Sequence, residues 1–263
     1  MTLIIGVRCT DGVVLAADSA ATMGGGGVTT VQQRTARKLY LCNQNRIIVG
    51  VAGYVGLAQR LQAVIEDGFG KNHYSGRNEV AVGKMRDDLV GIVKPEWEMG
   101  QIVARAQGHP GATLYANHSM VVAITLNREP QLISFTETCS PEIATQGLPF
   151  VCIGSGQPRA DPFMSFLRRV FWPVNAYPTI PDGILSAYWT LRHVIEIDPG
   201  GVGGDCQLVV LEKAGSEFKA RELSHAELET HEESRKGFEE EIKKWRDQFT
   251  ATPPGDSPAA PPA

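Results

Sequence analysis

The chain opens Met1-Thr2-Leu3. Initiator methionine is generally removed when the second residue is small, so the mature chain is expected to begin with a threonine. A hydroxyl beside a free α-amine is a nucleophile and a base in one residue. With an α-amine pKa of about 7.8 against about 10.4 for lysine, roughly a third of such amines but only about 0.1% of lysines are neutral near pH 7.5, which makes the amine the better base. The chemistry this permits is attack on a carbonyl carbon, with the proton passing to the chain's own terminus. Other constellations lack a required part. Gly200-Gly201-Val202-Gly203-Gly204 follows a helical pattern and precedes a strand pattern, the reverse of a dinucleotide loop, and Gly24 to Gly27 has no Lys-Ser/Thr ending to hold phosphate. His225 and His231 are six apart, not the four of a helical metal pair, and read as solvent-facing. No Gly-x-Ser-x-Gly elbow is present, although spacing alone leaves a Ser-His-Asp arrangement open. The five cysteines, Cys9, Cys42, Cys139, Cys152 and Cys206, are odd in number and form no Cys-x-x-Cys pair. That disfavours a disulfide framework or a zinc site, so neither metal nor cofactor is expected.

A residue at the chain's start can work only if the elements around it hold it. Thr2 to Arg8 and Val13 to Asp18 are β-branched, alternating runs joined by Thr10-Asp11-Gly12, which predicts a hairpin whose first strand begins at Thr2. Lys38 to Cys42 and Arg46 to Ala52 predict a second hairpin across Asn43-Gln44-Asn45, and Gly24 to Gly27 reads as a mobile loop. Leu57, Leu61, Val64 and Ile65, then Val82, Met85, Leu89 and Ile92 before Pro95, predict two helices. Strand patterns return at Ser119 to Leu126, Gln131 to Phe135 and Pro149 to Ile153. Two more helices are marked by Phe163 to Phe171 and Ile184 to Ile195, and two closing strands by Cys206 to Glu212 and Phe218 to Glu222. This order does not alternate as βαβ. It predicts an α+β protein, a four-layer αββα sandwich of two antiparallel sheets between helical layers.

The segment from Thr2 through Asp18 to Thr22 resembles the N-terminus of the mature proteasome β subunit, and ordered stations continue to about Leu211. Lys38 in Arg37-Lys38-Leu39 and Gly53 in Val51-Ala52-Gly53 fall where that family places its catalytic lysine and oxyanion glycine; Gly154-Ser155-Gly156 and Asp198 to Gly201 resemble its remaining stations. The resemblance implies an Ntn-hydrolase fold and a threonine peptidase. Catalytic roles then fall to Thr2, Asp18, Lys38, Gly53, Ser155 and Asp198, and substrate contacts to Thr22, Val51 and Gly53. The physical reasons agree with those roles. A backbone N–H at Gly53, with no Cβ to block approach, can meet an oxyanion; a cationic Lys38 favours ionisation of the hydroxyl, and Asp18 holds the ammonium. By the resemblance Ser155 and Asp198 flank the amine, Thr22 bonds an extended substrate backbone, and Val51 lies in a pocket for medium apolar side chains. Taken singly, Ser155 reads as a helix cap and Val51 as core. One station departs: where proteasome subunits usually carry a serine three residues after Asp198, this chain has Gly201.

The chain has 263 residues, 43% hydrophobic and 21% charged, which excludes a disordered or fibrous chain. The net charge of −4 disfavours nucleic acid as a partner. Residues 1 to 223 balance at 20 acids and 20 bases, and residues 224 to 249 hold eight acids against five bases. Three parts are expected: a proteasome β-like domain over 1–223, an acidic amphipathic helix over 224–249, and a Pro-rich disordered tail over 250–263. Phe238, Ile242, Trp245 and Phe249 share one helical face. Burying each is worth ~1.5 to 3 kcal/mol against ~0.3 to 0.5 for an exposed ion pair, so the helix is expected to dock on its own subunit, or else on a neighbour or over a chamber entrance. No run suggests a signal peptide or membrane span, so a cytoplasmic setting is expected. The absence of a propeptide before Thr2, the insertion around residues 66 to 110 and the acidic extension favour the β-proteasome homologue of bacteria over the HslV type. The function expected is that of a self-compartmentalising threonine peptidase acting on peptides or unfolded proteins, without cofactor, in homo-oligomeric stacked rings, with seven subunits the first expectation and any ATPase partner unassigned. The rivals are a ring-forming assembly protein without activity, favoured by Gly201, and an Ntn amidohydrolase acting on a small amide.

Overall fold

The computed structural model describes residues 2–25, 28–33, 35–108, 118–198 and 201–251. Two compact units divide the chain, Met1–Leu223 and Ser224–Ala263.

In the first unit, β1 (Ile4–Arg8) and β2 (Gly12–Asp18) pair antiparallel, and Cys9 N–H donates to the Gly12 carbonyl across the turn. Both strands are central in a sheet ordered β10-β1-β2-β11-β12, where β10 is Phe150–Ile153, β11 Cys206–Ala214 and β12 Glu217–Glu222. A second sheet is ordered β5-β6-β7-β8-β9, with β5 Leu39–Cys42, β6 Ile47–Gly53, β7 His118–Leu126, β8 Glu129–Phe135 and β9 Pro141–Ile143. Asn43, Gln44 and Asn45 all take positive φ in the β5–β6 turn, a conformation that Asn tolerates better than most residues.

Alternation along the strands sorts the core into layers. Ile4, Leu15, Ile48, Val121, Leu132 and Val209 meet between the two sheets. Ile47, Val49, Val122 and Ile133 face outward onto α1 (Val55–Gly70) and α2 (Asn78–Ala106). On the other side, α3 (Gln157–Phe171) packs on β10 and α4 (Ile180–Ile197) on β1, β2 and β11. The close approach of α4 rests on Gly183, where a Cβ would come within 2.7 Å of Cys9 Sγ. The result is the four-layer αββα sandwich that the element order predicts.

Two local readings are corrected, and one strand was not foreseen. The glycine run is not a loop throughout: Gly24 and Gly25 end β3 (Ala21–Gly25), which pairs with β4 (Val28–Gln33), Gly24 opposite Thr29 past a register shift. A ladder needs backbone groups rather than side chains, so glycine weakens a strand without forbidding it; Gly26 and Gly27 lie outside the described residues. Pro95 does not end its helix, because α2 continues to Ala106. The helix absorbs the one hydrogen bond that proline forfeits, and Arg60 of α1 pairs with Glu96 just beyond it. Strand β9 is short and lacked a periodic signal.

In the second unit, α5 (His225–Ala251) begins at a reciprocal cap in which Ser224 N–H donates to Glu227 Oε2 at 2.8 Å and Glu227 N–H to Ser224 Oγ at 3.4 Å. Arg235 is clamped by Glu232 and Glu239 at 2.8 and 2.6 Å. Phe238, Ile242 and Trp245 share one face of α5, as the spacing predicts. Helical spacing specifies which face is apolar, not what covers it. The Phe249 side chain and the Pro-rich tail beyond residue 251 lie outside the described residues.

Candidate active site

Thr2 stands two residues before β1 and is held by its backbone. Its nitrogen lies 3.1 Å from Ser155 Oγ, and its carbonyl accepts from Gly156 N–H at 3.1 Å, with Ser155 Oγ at 3.4 Å. Ser155 is therefore engaged with Thr2 and does not cap α3, whose N-cap is Gly156 with no side-chain cap bond. The turn that offers these groups requires glycine at residue 154. Gly154 has φ +93°, and a Cβ there would come within 2.3 Å of the Thr2 carbonyl oxygen, which the chain cannot relieve by rotating a side chain. Gly154→Ala is accordingly expected to displace Thr2 and destabilise the protein by roughly 1 to 3 kcal/mol, read as a lower thermal midpoint together with loss of any hydrolysis. A variant with unchanged midpoint and turnover would contradict this seat.

Asp18 ends β2, where the β1–β2 register places it opposite Leu3. Its carboxylate is fully buried and saturated. Oδ1 accepts from Leu3 N–H at 2.9 Å and from Lys38 Nζ at 2.6 Å; Oδ2 accepts from Gly203 N–H at 3.1 Å and Ala20 N–H at 3.2 Å. Lys38, 7% exposed, projects from the residue before β5, and sharing one oxygen with Leu3 tethers its ammonium within two hydrogen bonds of the residue after Thr2. Burial pushes the Lys38 amine below the ordinary lysine range, and the charge and hydrogen bond of Asp18 oppose that. Its backbone is pinned as well: Gln207 Oε1 accepts from Lys38 N–H at 3.0 Å while Gln207 Nε2 donates to the Ala36 carbonyl at 2.7 Å.

Gly53 is exposed at the end of β6 with φ +139°, a conformation that favours glycine. Tyr54 follows as the N-cap of α1 and makes no side-chain cap bond. The positive end of the helix thus opens beside Gly53, a setting suited to an oxyanion. Asp198 is the C-cap of α4; its carboxylate lies 3.1 Å from Arg159 of α3, and its carbonyl accepts from Gly201 and Val202 N–H. A Cβ on Gly156 would touch both Leu3 and Val202 at 2.9 Å, so the turn after Asp198 lies against the seat of Thr2. Val51 is buried in the core beneath α1 and α2. Thr22 lies in β3 opposite Gln32, its side chain outside the described residues.

Lys38 and Asp18 are thus brought together beside Leu3, and Ser155 beside Thr2. The sequence reading missed Gly203, Gln207 and Arg159. Gly203 was visible only as part of a glycine run, and nothing marks Gln207 or Arg159 without the fold.

Among known proteins, residues 2–89 match the proteasome subunit family. The proteasome subunit beta of Methanobrevibacter smithii is 38% identical over 65 residues, 25% of this chain; the alignment spans only 29% of that relative's length. Solved structures are similar over nearly the whole chain. Anbu, described as an ancestral beta-subunit, from Yersinia bercovieri is 16% identical, with 98% of this chain and all of that chain covered at a TM-score of 0.65. Anbu from a Hyphomicrobium species is 15% identical at 97% and 100% coverage with a TM-score of 0.64. Anbu from Pseudomonas aeruginosa, solved as a helical assembly, is 15% identical at 96% and 98% coverage with a TM-score of 0.66. These likenesses establish the fold, a four-layer αββα sandwich of two antiparallel sheets.

Proposed function

We propose that the protein is a threonine peptidase whose nucleophile is Thr2, freed by removal of Met1. The observation that carries this reading is the buried Asp18 carboxylate, which binds the Lys38 ammonium and the Leu3 amide on one oxygen directly behind Thr2. Thr2 Oγ attacks the amide carbonyl and its proton passes to the α-amine, which the Ser155 hydroxyl orients. The oxyanion meets Gly53 N–H at the opening of α1. Collapse breaks the C–N bond, the leaving amine takes the proton back from the α-ammonium, and water then hydrolyses the threonyl ester. The decisive experiment combines intact mass, to establish that Met1 is gone, with a threonine-directed covalent inhibitor and a fluorogenic peptide series. Labelling at Thr2 with peptide turnover is expected. Labelling without turnover would redirect the reading to a small amide, and a mature Thr2 that neither labels nor turns over would favour the assembly protein, for which the missing hydroxyl at Gly201 speaks.

The same reading makes the protein a homo-oligomer in the cytoplasm that encloses its sites. The balanced charge of residues 1 to 223 offers little repulsion to packing, and the Pseudomonas aeruginosa relative assembles helically, so stacked rings of seven compete with a helical arrangement. Light scattering is expected to report a multiple of 28.5 kDa, and a monomer at working concentration would contradict it.

A further inference from the structure

A cavity of about 500 Å³ lies at the end of the sandwich away from Thr2. Strand β6 runs from Ile47, next to this cavity, to Gly53, seven residues or roughly 20 Å on at 3.3 Å per residue. The cavity is walled by both sheets and by the end of α1. Val121 and Ala123 of β7 and Val209 and Leu211 of β11 point between the sheets, so alternation puts Thr125 and Lys213 on the same faces at this end, where Phe218 packs against the layer. Three hairpins thus bring three cations to one hollow: Arg46 just before β6, Arg128 at φ +66° in the β7–β8 turn, and Lys213 near the end of β11. Residues 1 to 223 balance in charge, yet Glu217 is the one acid among the residues that line this cavity. The Arg46 guanidinium stands 5.5 Å above the Phe69 ring, and its Nη2 is 4.0 Å from Glu217 Oε1, too far for a hydrogen bond. Among the described residues neither Arg128 nor Lys213 has a carboxylate within ion-pair distance. Thr125 supplies a second, independent observation. It lines this cavity and an adjoining one of about 260 Å³ that shares Arg46 and Phe69 with it. Its Oγ1 is buried without a hydrogen-bond partner, whereas buried hydroxyls as a rule are satisfied.

We infer that this cavity binds a small phosphate monoester, its dianionic group held by Arg46, Arg128 and Lys213 and hydrogen-bonded by the Thr125 hydroxyl, its ester group lying against Phe69 and Phe218. Charge selects the ligand. Three cations against Glu217 leave a surplus of two, which a phosphate monoester with its charge of about −1.5 to −2 near pH 7 matches and a sulfate ester or carboxylate does not. Guanidinium forks and an ammonium suit the terminal oxygens of a phosphoryl group. The two phenyl rings add a demand that free phosphate leaves unmet, for an ester group with an apolar or aromatic surface. A hollow of this size with apolar walls and a few convergent polar groups is the usual form of a small-ligand site. The site stands apart from Thr2 and does not depend on hydrolysis.

Calorimetric titration of the full-length protein at low ionic strength tests it, with phenyl phosphate, phenyl sulfate and inorganic phosphate as probes. Phenyl phosphate is expected to bind saturably and at least about tenfold more tightly than either of the others, because the sulfate lacks a charge and inorganic phosphate lacks the ring. Arg128→Gln and Lys213→Gln each remove one cation from an exposed position, where the fold does not depend on it, and each is expected to weaken binding about tenfold, the size of one charge-assisted hydrogen bond. Thr125→Val is nearly isosteric and changes no charge. It is expected to weaken binding severalfold while the thermal midpoint holds or rises, since no hydrogen bond within the protein is lost. The inference is overturned if phenyl phosphate does not bind saturably, if phenyl sulfate or inorganic phosphate binds as tightly, or if affinity is unchanged in both cation variants.

Discussion

Thr2→Ala is expected to bring amide hydrolysis down to the uncatalysed background, a loss on the order of 10⁴- to 10⁶-fold in kcat, with folding and assembly intact. The separation of effects follows from how Thr2 is held. Its observed anchors are backbone groups, the nitrogen on Ser155 and the carbonyl on Gly156 N–H and Ser155, and alanine keeps all of them. Only the hydroxyl and a methyl are lost. Thr2→Ser restores the hydroxyl and is expected to retain part of the rate. Peptide turnover measured beside light scattering on all three proteins checks this, and wild-type turnover in the alanine variant would end the N-terminal nucleophile reading.

Lys38→Ala is expected to lower hydrolysis about 10³-fold or more, and Asp18→Ala nearly as much, with the double variant no worse than the poorer single one. The two side chains meet at 2.6 Å on an oxygen that also holds Leu3, so either loss dissolves one unit. Stability separates them. Removing Lys38 leaves a wholly buried carboxylate that still has three backbone donors, whereas removing Asp18 takes the carboxylate from a buried ammonium and deprives Leu3, Ala20 and Gly203 N–H of their acceptor. Breaking a buried pair costs about 3 to 5 kcal/mol, and each stranded amide adds about 1 to 3, so Asp18→Ala should be the less stable protein by thermal melting. The pH profile carries the sign. Activity is expected to rise through the α-amine range near 7.7 to 8.0 as the base loses its proton, then fall as Lys38 loses its charge. Because burial lowers the Lys38 pKa, that fall should begin below the ordinary lysine range. Lys38→Met should abolish the alkaline limb. Additive effects, or an alkaline limb that survives the methionine variant, would place the two residues in separate roles.

Most of the first unit was legible because its signals are local. Period-two runs with Asp11-Gly12 between them specify a hairpin, and Leu57-Leu61-Ile65 specify a helical face, since both patterns follow from backbone geometry within a few residues. Where local rules compete, the reading faltered: Pro95 is tolerated inside α2, and glycines serve in β3, because packing and ladder bonds outweigh a propensity of about 1 to 3 kcal/mol.

The sequence by itself determined that Thr2 immediately precedes a central hairpin, that two antiparallel sheets lie between helices, and that Asp18 and Lys38 stand at strand ends. The tertiary structure decided what those ends meet. Asp18 gains its donors from Gly203, 185 residues away, and Lys38 is pinned by Gln207, 169 residues away, through pairings that no period or motif encodes. It also decided that Ser155 seats Thr2 instead of capping its helix. Periodicity reports which face of an element is apolar, whereas hydrogen-bond partners and burial depend on which elements close against one another, and that choice is made by the whole chain.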